Sequence, residues 1–235
     1  YYTNKKFFNK PLKLSFVKDA KTPNYNQVFY QPKLSYNYYD GLILGMKLHN
    51  VPLIKRNLIA KFLPGYATKS NKVNGAVSIL YNHFFEDTDI YKISYGIAGN
   101  TLEYAPGLSY SSLIPNISLQ FKRKSLRDAT SKVISAKVVH IDKEILATTT
   151  KTEQDNYSVL SLSYNYINPD IIEETRFNVN TEIAANFSKV SADFRYRKLT
   201  STDTQLDFRV FAGAFLKNNT EGDYFSFGLD RANDY

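Results

Sequence analysis

Between Glu174 and Leu216 the chain carries three consecutive segments in which apolar and polar residues alternate with period two. In the first, Phe177, Val179, Thr181, Ile183, Ala185 and Phe187 share one parity, and Arg176, Asn178, Asn180, Glu182 and Asn186 the other. In the second, Val190, Ala192, Phe194 and Tyr196 alternate with Ser191, Asp193, Arg195 and Arg197. In the third, Leu206, Phe208, Val210, Ala212, Ala214 and Leu216 interleave with Gln205, Asp207 and Arg209. Successive side chains of a strand point to opposite faces, so each segment presents one greasy face and one charged face. Strands of soluble proteins commonly run about five or six residues, whereas about nine to eleven are needed to cross a bilayer at a tilt. These segments have the longer length.

The same rhythm continues through the rest of the chain. Strands are expected over 36–50, 58–67, 73–84, 90–103, 113–122, 132–142, 157–167 and 224–230, with turn residues at Thr68-Lys69-Ser70-Asn71, Glu86-Asp87-Thr88-Asp89, Ala105-Pro106-Gly107 and Asn168-Pro169-Asp170. No helical periodicity intervenes. The expected fold is therefore all-β, an antiparallel up-and-down transmembrane β-barrel of roughly 10–12 strands. Residues 36–235 form the barrel in this reading, and 1–35 a connector from an upstream domain. Across the join of connector and barrel 27–38 is aromatic and extended, and Pro32 marks it as an edge or irregular piece. The chain opens without a basic and then apolar leader and stops inside a strand-like stretch, Ser226 to Asp230, so it reads as a fragment of a longer chain.

Composition agrees with an alternating wall. There are 19 Tyr and 16 Phe, a load suited to strands and to the aromatic girdles where a barrel meets headgroups. A mean hydropathy of −0.37 would read as that of a soluble protein, but a barrel hides half of its strand residues in a wet lumen. No window approaches the roughly 18 continuous apolar residues of a spanning helix. With no cysteine, disulfides, thiolate metal sites and cysteine nucleophiles are excluded. The net charge of +8 is spread over strands and turns rather than striped along a helix. That distribution favours lipid phosphate over nucleic acid as the partner.

Catalytic signals are lacking. His49, His83 and His140 are isolated, and the His-Glu-x-x-His zinc arrangement is absent. His140 and Glu144 would share a strand face at about 13 Å, too far apart to hold one metal. Glu86, Asp87 and Asp89 lack the glycine spacing of a calcium loop and read as a solvated turn. No Gly-x-Ser-x-Gly elbow occurs. Catalytic, cofactor and metal residues are thus none in this segment. Two charged sets remain. Lys122, Arg123, Lys124 and Arg127 form a basic turn that fits lipid phosphates or plain solvation equally well. Glu182, Asp193, Arg195, Arg197, Asp207 and Arg209 form a ladder expected to converge in a lumen and brace it by ion pairs. The rival is the solvent face of a soluble sandwich.

The tract Tyr36-Asn37-Tyr38-Tyr39-Asp40-Gly41-Leu42-Ile43-Leu44-Gly45-Met46-Lys47-Leu48-His49-Asn50, with Leu63-Pro64-Gly65-Tyr66-Ala67 and Gly75-Ala76-Val77-Ser78 after it, resembles the barrel region that follows the catalytic domain in outer-membrane M1-type (gluzincin) metallopeptidases of Bacteroidota. More loosely it is similar to Omp85-like barrels that begin with a Gly-Leu-x-Leu-Gly strand. The resemblance covers about residues 30–235 and rests on strand patterns. It implies a Gram-negative outer membrane and a membrane anchor or scaffold for an attached domain or partner complex, with any catalytic zinc in an upstream domain. Expected partners are outer-membrane lipid or lipopolysaccharide, that upstream domain and other envelope proteins, with no nucleic acid. The alternatives are an Omp85-like translocation or insertion barrel, a transport channel, and a soluble β-sandwich binding module.

Overall fold

The computed structural model describes residues 10–17, 24–51, 57–145, 156–201, 204–219 and 227. The described elements are all strands: β1 (Leu12–Phe16), β2 (Asn26–Asn37), β3 (Gly41–His49), β4 (Leu58–Ala67), β5 (Val73–Phe84), β6 (Ile90–Ala105), β7 (Leu108–Phe121), β8 (Ser131–Lys143), β9 (Asn156–Pro169), β10 (Glu173–Ala184), β11 (Phe187–Leu199) and β12 (Gln205–Asn218). They form one sheet in which each strand neighbours the next in sequence order. From β2 to β5 and from β8 to β12 the neighbours pair antiparallel, while β1 pairs parallel with β2. The strands lie in a single sheet, and in the Leu206 to Leu216 row Leu206, Phe208, Val210 and Leu216 are all exposed. The segment 224–230, apart from Phe227, lies outside the described residues.

By contacts the chain divides into a unit of residues 1–81 and 97–111 and a second of 82–96 and 112–235. In the first unit, β2 pairs with β3 from Phe29 opposite His49 to Asn37 opposite Gly41. The reading of 36–50 as a single strand is corrected here, because Tyr38-Tyr39-Asp40 is a turn and Gly41 sits at φ +72°. Glycine takes up that left-handed backbone without the steric cost a Cβ would add. Alternation hid the turn, since Asn37 and Gly41 fall on the same face on either side of it. Residues 26–37 belong to the sheet. Pro32 faces Met46 across the ladder, and β1 is paired only with the stretch ending at Tyr30, so the proline lies where no amide is required on the β1 side.

The turn is held by Asp40, which is fully buried. Its carboxylate accepts from Asn37 Nδ2 at 3.0 Å, Ser70 Oγ at 2.9 Å, Asn74 Nδ2 at 2.6 Å and the Glu103 amide at 3.2 Å. Its carbonyl accepts from the Lys69 amide at 2.9 Å. One side chain thus ties the β2–β3 turn to the β4–β5 turn and the end of β6. Glu103, itself buried, pairs with Lys72 Nζ at 2.8 Å.

In the second unit β8 to β12 pair in one ladder, broken only by a shift between β11 and β12 at Ser188 and Lys189. On one face the rows read Tyr166, Phe177, Phe194, Val210, then Tyr164, Val179, Ala192, Ala212, then Leu162, Thr181, Val190, Ala214. The opposite face holds the buried residues: Val139 opposite Val159, Ile141 opposite Tyr157, Phe187, and the polar Ser161, Glu174, Glu182 and Lys189. A second correction follows for Phe187. A hairpin closes at Ala185 and Asn186, so Phe187 opens β11 on the buried face and not on the face of Phe177 and Ile183.

Replacing Gly41 by Ala should destabilise the protein by about 1–2 kcal/mol for the left-handed backbone, plus a steric term, because an added Cβ would lie 2.8 Å from Lys69 Cβ. Gly107 has φ +73° with open space around it, so its alanine variant should show the backbone part alone. Urea unfolding of both variants in detergent micelles checks the difference.

Candidate functional site: a charge-paired inner face

The buried face of β9 to β12 begins as a polar track. Ser135 and Ser163 hydroxyls meet at 2.7 Å, Ser161 Oγ donates to Asn180 Oδ1 at 3.1 Å, Asn178 Nδ2 donates to Asn165 Oδ1 at 2.5 Å, and Asn180 Nδ2 donates to Glu182 Oε1 at 2.9 Å. Each link joins side chains on a single face, which the period-two register places within reach.

Charge enters on this track in pairs. Glu182, 1% exposed, binds Lys189 Nζ at 3.0 Å directly across the β10–β11 register. The Lys189 ammonium also lies 5.8 Å from the Phe187 ring and 5.5 Å from that of Phe227. Phe227 in turn packs on Phe215 and Phe211 at 5.1 and 5.8 Å, over Gly213, where any Cβ would come within 2.8 Å of the ring. Two aromatic faces and one carboxylate therefore shield a buried cation. Nearer the other end of the strands, Glu174 pairs with Arg176 and, at 2.7 Å, with Arg197. Asp193 pairs with Arg195 at 3.2 Å and Arg209 at 2.5 Å.

Among the ladder residues expected from sequence, the structure brings Asp193, Arg195 and Arg209 together. Glu182 joins Lys189 instead, and Arg197 joins Glu174. Asp207 lies opposite Arg197 in the register and is exposed, accepting from Gln205 Nε2 at 2.5 Å. Lys189 and Glu174 escaped the sequence reading because each stands at a strand end, where alternation is short. The Ala185-Asn186 hairpin would have revealed Lys189, since it sets residue 182 opposite residue 189. Asp40 was carried in the Asp40-Gly41 dipeptide, a strong turn signal.

The basic set lies in the β7–β8 turn. Lys122 Nζ donates to the Glu86 carbonyl and its amide to the Asp89 carbonyl, so this lysine fastens the β7–β8 turn to the β5–β6 turn. Asp128 accepts from the Lys124 amide at 3.0 Å and the Thr130 amide at 2.9 Å. Arg123, Lys124 and Arg127 surround Leu126, which is fully exposed. The hydrogen bonds from Thr130 and then Lys124 hold the Asp128 carboxyl down to about 2. Among the described residues no cluster of three or more His, Asp or Glu could hold a metal. No protein-family model matches the chain, and no curated protein or solved structure does.

Removing one member of the buried pair should expose the other to an unfavourable environment. Lys189→Met should destabilise by about 3–5 kcal/mol, and the double variant Glu182→Met/Lys189→Met should recover most of that loss; a double-mutant cycle in micelles measures it. For Asp128 the folded value lies below the unfolded one of about 3.9. Its stabilisation is therefore complete above that value and is lost as pH falls through about 2. The Thr130 amide resonance should titrate with its midpoint near 2, and a midpoint near 4 would show the turn to be open.

Proposed function

We propose that this chain is a transmembrane β-barrel domain of a bacterial outer membrane that anchors and scaffolds an attached domain. What carries the reading is an inversion of the usual burial pattern. Among the described residues, 13 buried side chains are polar or charged against 7 hydrophobic. In a soluble fold large apolar side chains make up the common core, and Lys, Glu and Asp are buried there only when paired. In the first unit Leu44, Tyr66 and Val73 stand exposed in one row across β3, β4 and β5, with Phe62 beside Val77 in another, and in the second unit Leu206, Phe208 and Val210 stand exposed along β12. A contiguous apolar surface of that extent marks contact with lipid or a partner. Acyl chains would cover it on every strand at once, while the ladder satisfies the backbone amides.

Strand length and edges support the same reading. β5 to β12 contain 12 to 16 residues each, more than the roughly nine to eleven that cross a bilayer. β12, whose partner in the strand order is β11, is 14 residues long with an apolar outer row. Soluble proteins avoid a long apolar edge of that kind, and closure into a ring removes it. Leu126 and the cations beside it fit the headgroup region, where lipid or lipopolysaccharide phosphate would meet Arg123, Lys124 and Arg127. The attached domain implied by the resemblance is a zinc metallopeptidase, and that assignment rests on the resemblance alone.

Refolding into phosphatidylcholine vesicles, with heat-modifiable gel migration as readout, tests the barrel. Val210→Arg should impair insertion by roughly 2–4 kcal/mol if it lies near the midplane, whereas Arg209→Gln on the opposite face should be far milder. Equal effects of the two substitutions would refute the assignment of faces, and a chain that stays soluble and monomeric without detergent would refute the barrel.

A further inference from the structure

The inner face of the first unit is charged differently from that of the second. Register places Lys33 opposite Gly45, Gly45 opposite Gly65, and Lys61 opposite His49. Lys47 shares the face of Gly45 and His49, between those two pairs. This is the face of buried Phe29, His49 and Asn74, because Phe29 stacks on His49 at 5.5 Å and Asn74 lies opposite Gly65. Lys33, Lys47 and Lys61 thus descend one face of three adjacent strands as diagonal neighbours, at about 7–8 Å spacing. Among the described residues none of the three has a carboxylate partner, whereas Lys72 and Lys189 do.

Beside the first of these lysines the same face is hollow. Gly45 and Gly65, opposite one another, leave no side chain between β3 and β4. The two strands are close-packed at the glycines themselves, where an added Cβ would meet Pro64 O at 2.7 Å or Ile43 Cγ2 at 2.6 Å, and the space opens beside them. The hollow beside them has a volume of ≈ 190 Å³, and its lining includes the Lys33 ammonium and the Ser35 and Thr101 hydroxyls. A drug-sized ligand fills about 300–1,000 Å³, and one water takes about 30 Å³. The space therefore suits a small ion with a few waters.

We propose that Lys33, with the Ser35 and Thr101 hydroxyls that line this hollow, binds a small phosphate-type oxyanion, either free or as the phosphate of a small ester, and that Lys47 and Lys61 draw such an ion to it along the strands. Tetrahedral oxyanions accept from several donors at once and gain from charge-assisted bonds to ammonium groups. The diagonal continuation through Lys47 and Lys61 offers such an ion successive cationic positions along the strands. The proposal rests on the barrel reading only in taking this face to be a water-filled lumen.

Calorimetric titration of the full chain, folded in a non-ionic detergent, with inorganic phosphate tests it. Saturable binding is expected, weakened at least about tenfold in the triple variant Lys33→Gln/Lys47→Gln/Lys61→Gln, retained in the triple Lys→Arg variant and reduced as sodium chloride is raised. Lys132→Gln, opposite Tyr166 in the second unit, should leave it unchanged. Should the triple Gln variant lose its circular dichroism, the three single variants carry the comparison. Absence of heat with wild type, equal binding in the Gln variants, or an effect confined to partition onto phosphatidylglycerol-containing vesicles would each overturn the site. Vesicle insertion is scored separately. A chain that inserts but ignores phosphate sinks this site alone, and one that binds phosphate without inserting sinks the barrel alone.

Discussion

A carboxylate and an ammonium buried side by side, Glu182 and Lys189, are the contact from which the rest of the second unit follows. Neither charge is tolerable alone in a desiccated environment, and breaking such a pair is more damaging than never having built it. To meet, residues 182 and 189 must stand opposite one another, which fixes a tight hairpin at Ala185 and Asn186. Because side chains alternate strictly along a strand, that one register decides the face of every other residue in β10 and β11. It sends Glu174, Arg197 and Asp193 inward to their partners and sends Phe177, Val179, Val190 and Phe194 outward. The exposed apolar rows are thus the other half of the same constraint. A shift by one residue would bury the apolar rows and expose both charges together.

Asp40 plays a comparable part in the first unit by a different chemistry. Its carboxylate is held by four neutral donors from three separate segments and, among the described residues, forms no ion pair. Hydrogen bonds to a carboxylate are among the stronger ones available. The arrangement leaves little freedom to the turns it joins: Gly41 must adopt the left-handed backbone, and Asn37 must turn inward to reach both Asp40 and the Glu103 carbonyl at 2.8 Å. Those demands explain why a stretch that alternates smoothly on paper is interrupted at Tyr38.

Most of the sheet was legible from period-two alternation, because it is the direct imprint of a two-faced strand. The strands 58–67 and 73–84 were placed to the residue, and the meander followed from regular turn residues. What escaped was encoded by single residues rather than by rhythm. Asn37 and Gly41 preserve parity across the Tyr38–Asp40 turn, so the alternation passes over it without a break. Phe187 is apolar and continues the outward parity of Ile183, yet the two-residue hairpin places it inside. The partners of the charge ladder were only partly visible. Alternation assigns a face, but pairing needs a register, and register depends on where each hairpin closes. Glu174 and Lys189 became partners only once the turns were located.

The contrast between the two inner faces is a matter of dielectric. Two like charges about 8 Å apart repel by roughly 0.5 kcal/mol at the dielectric constant of water, and by roughly 2 kcal/mol at an effective value of 20. A dry face could not carry the Lys33, Lys47 and Lys61 row without a counter-charge, and among the described residues the protein supplies none. That row is therefore stable only where water or a mobile anion reaches it. On the face of Glu182 and Lys189 the opposite holds. There both side chains are nearly inaccessible, with exposures of 2% and 9%, and aromatic rings close over the ammonium. Neutralisation has to come from the chain itself, and the β10–β11 register provides it. One sheet thus meets the same electrostatic requirement in two ways, by internal pairing where water is excluded and by leaving cations open where it is not.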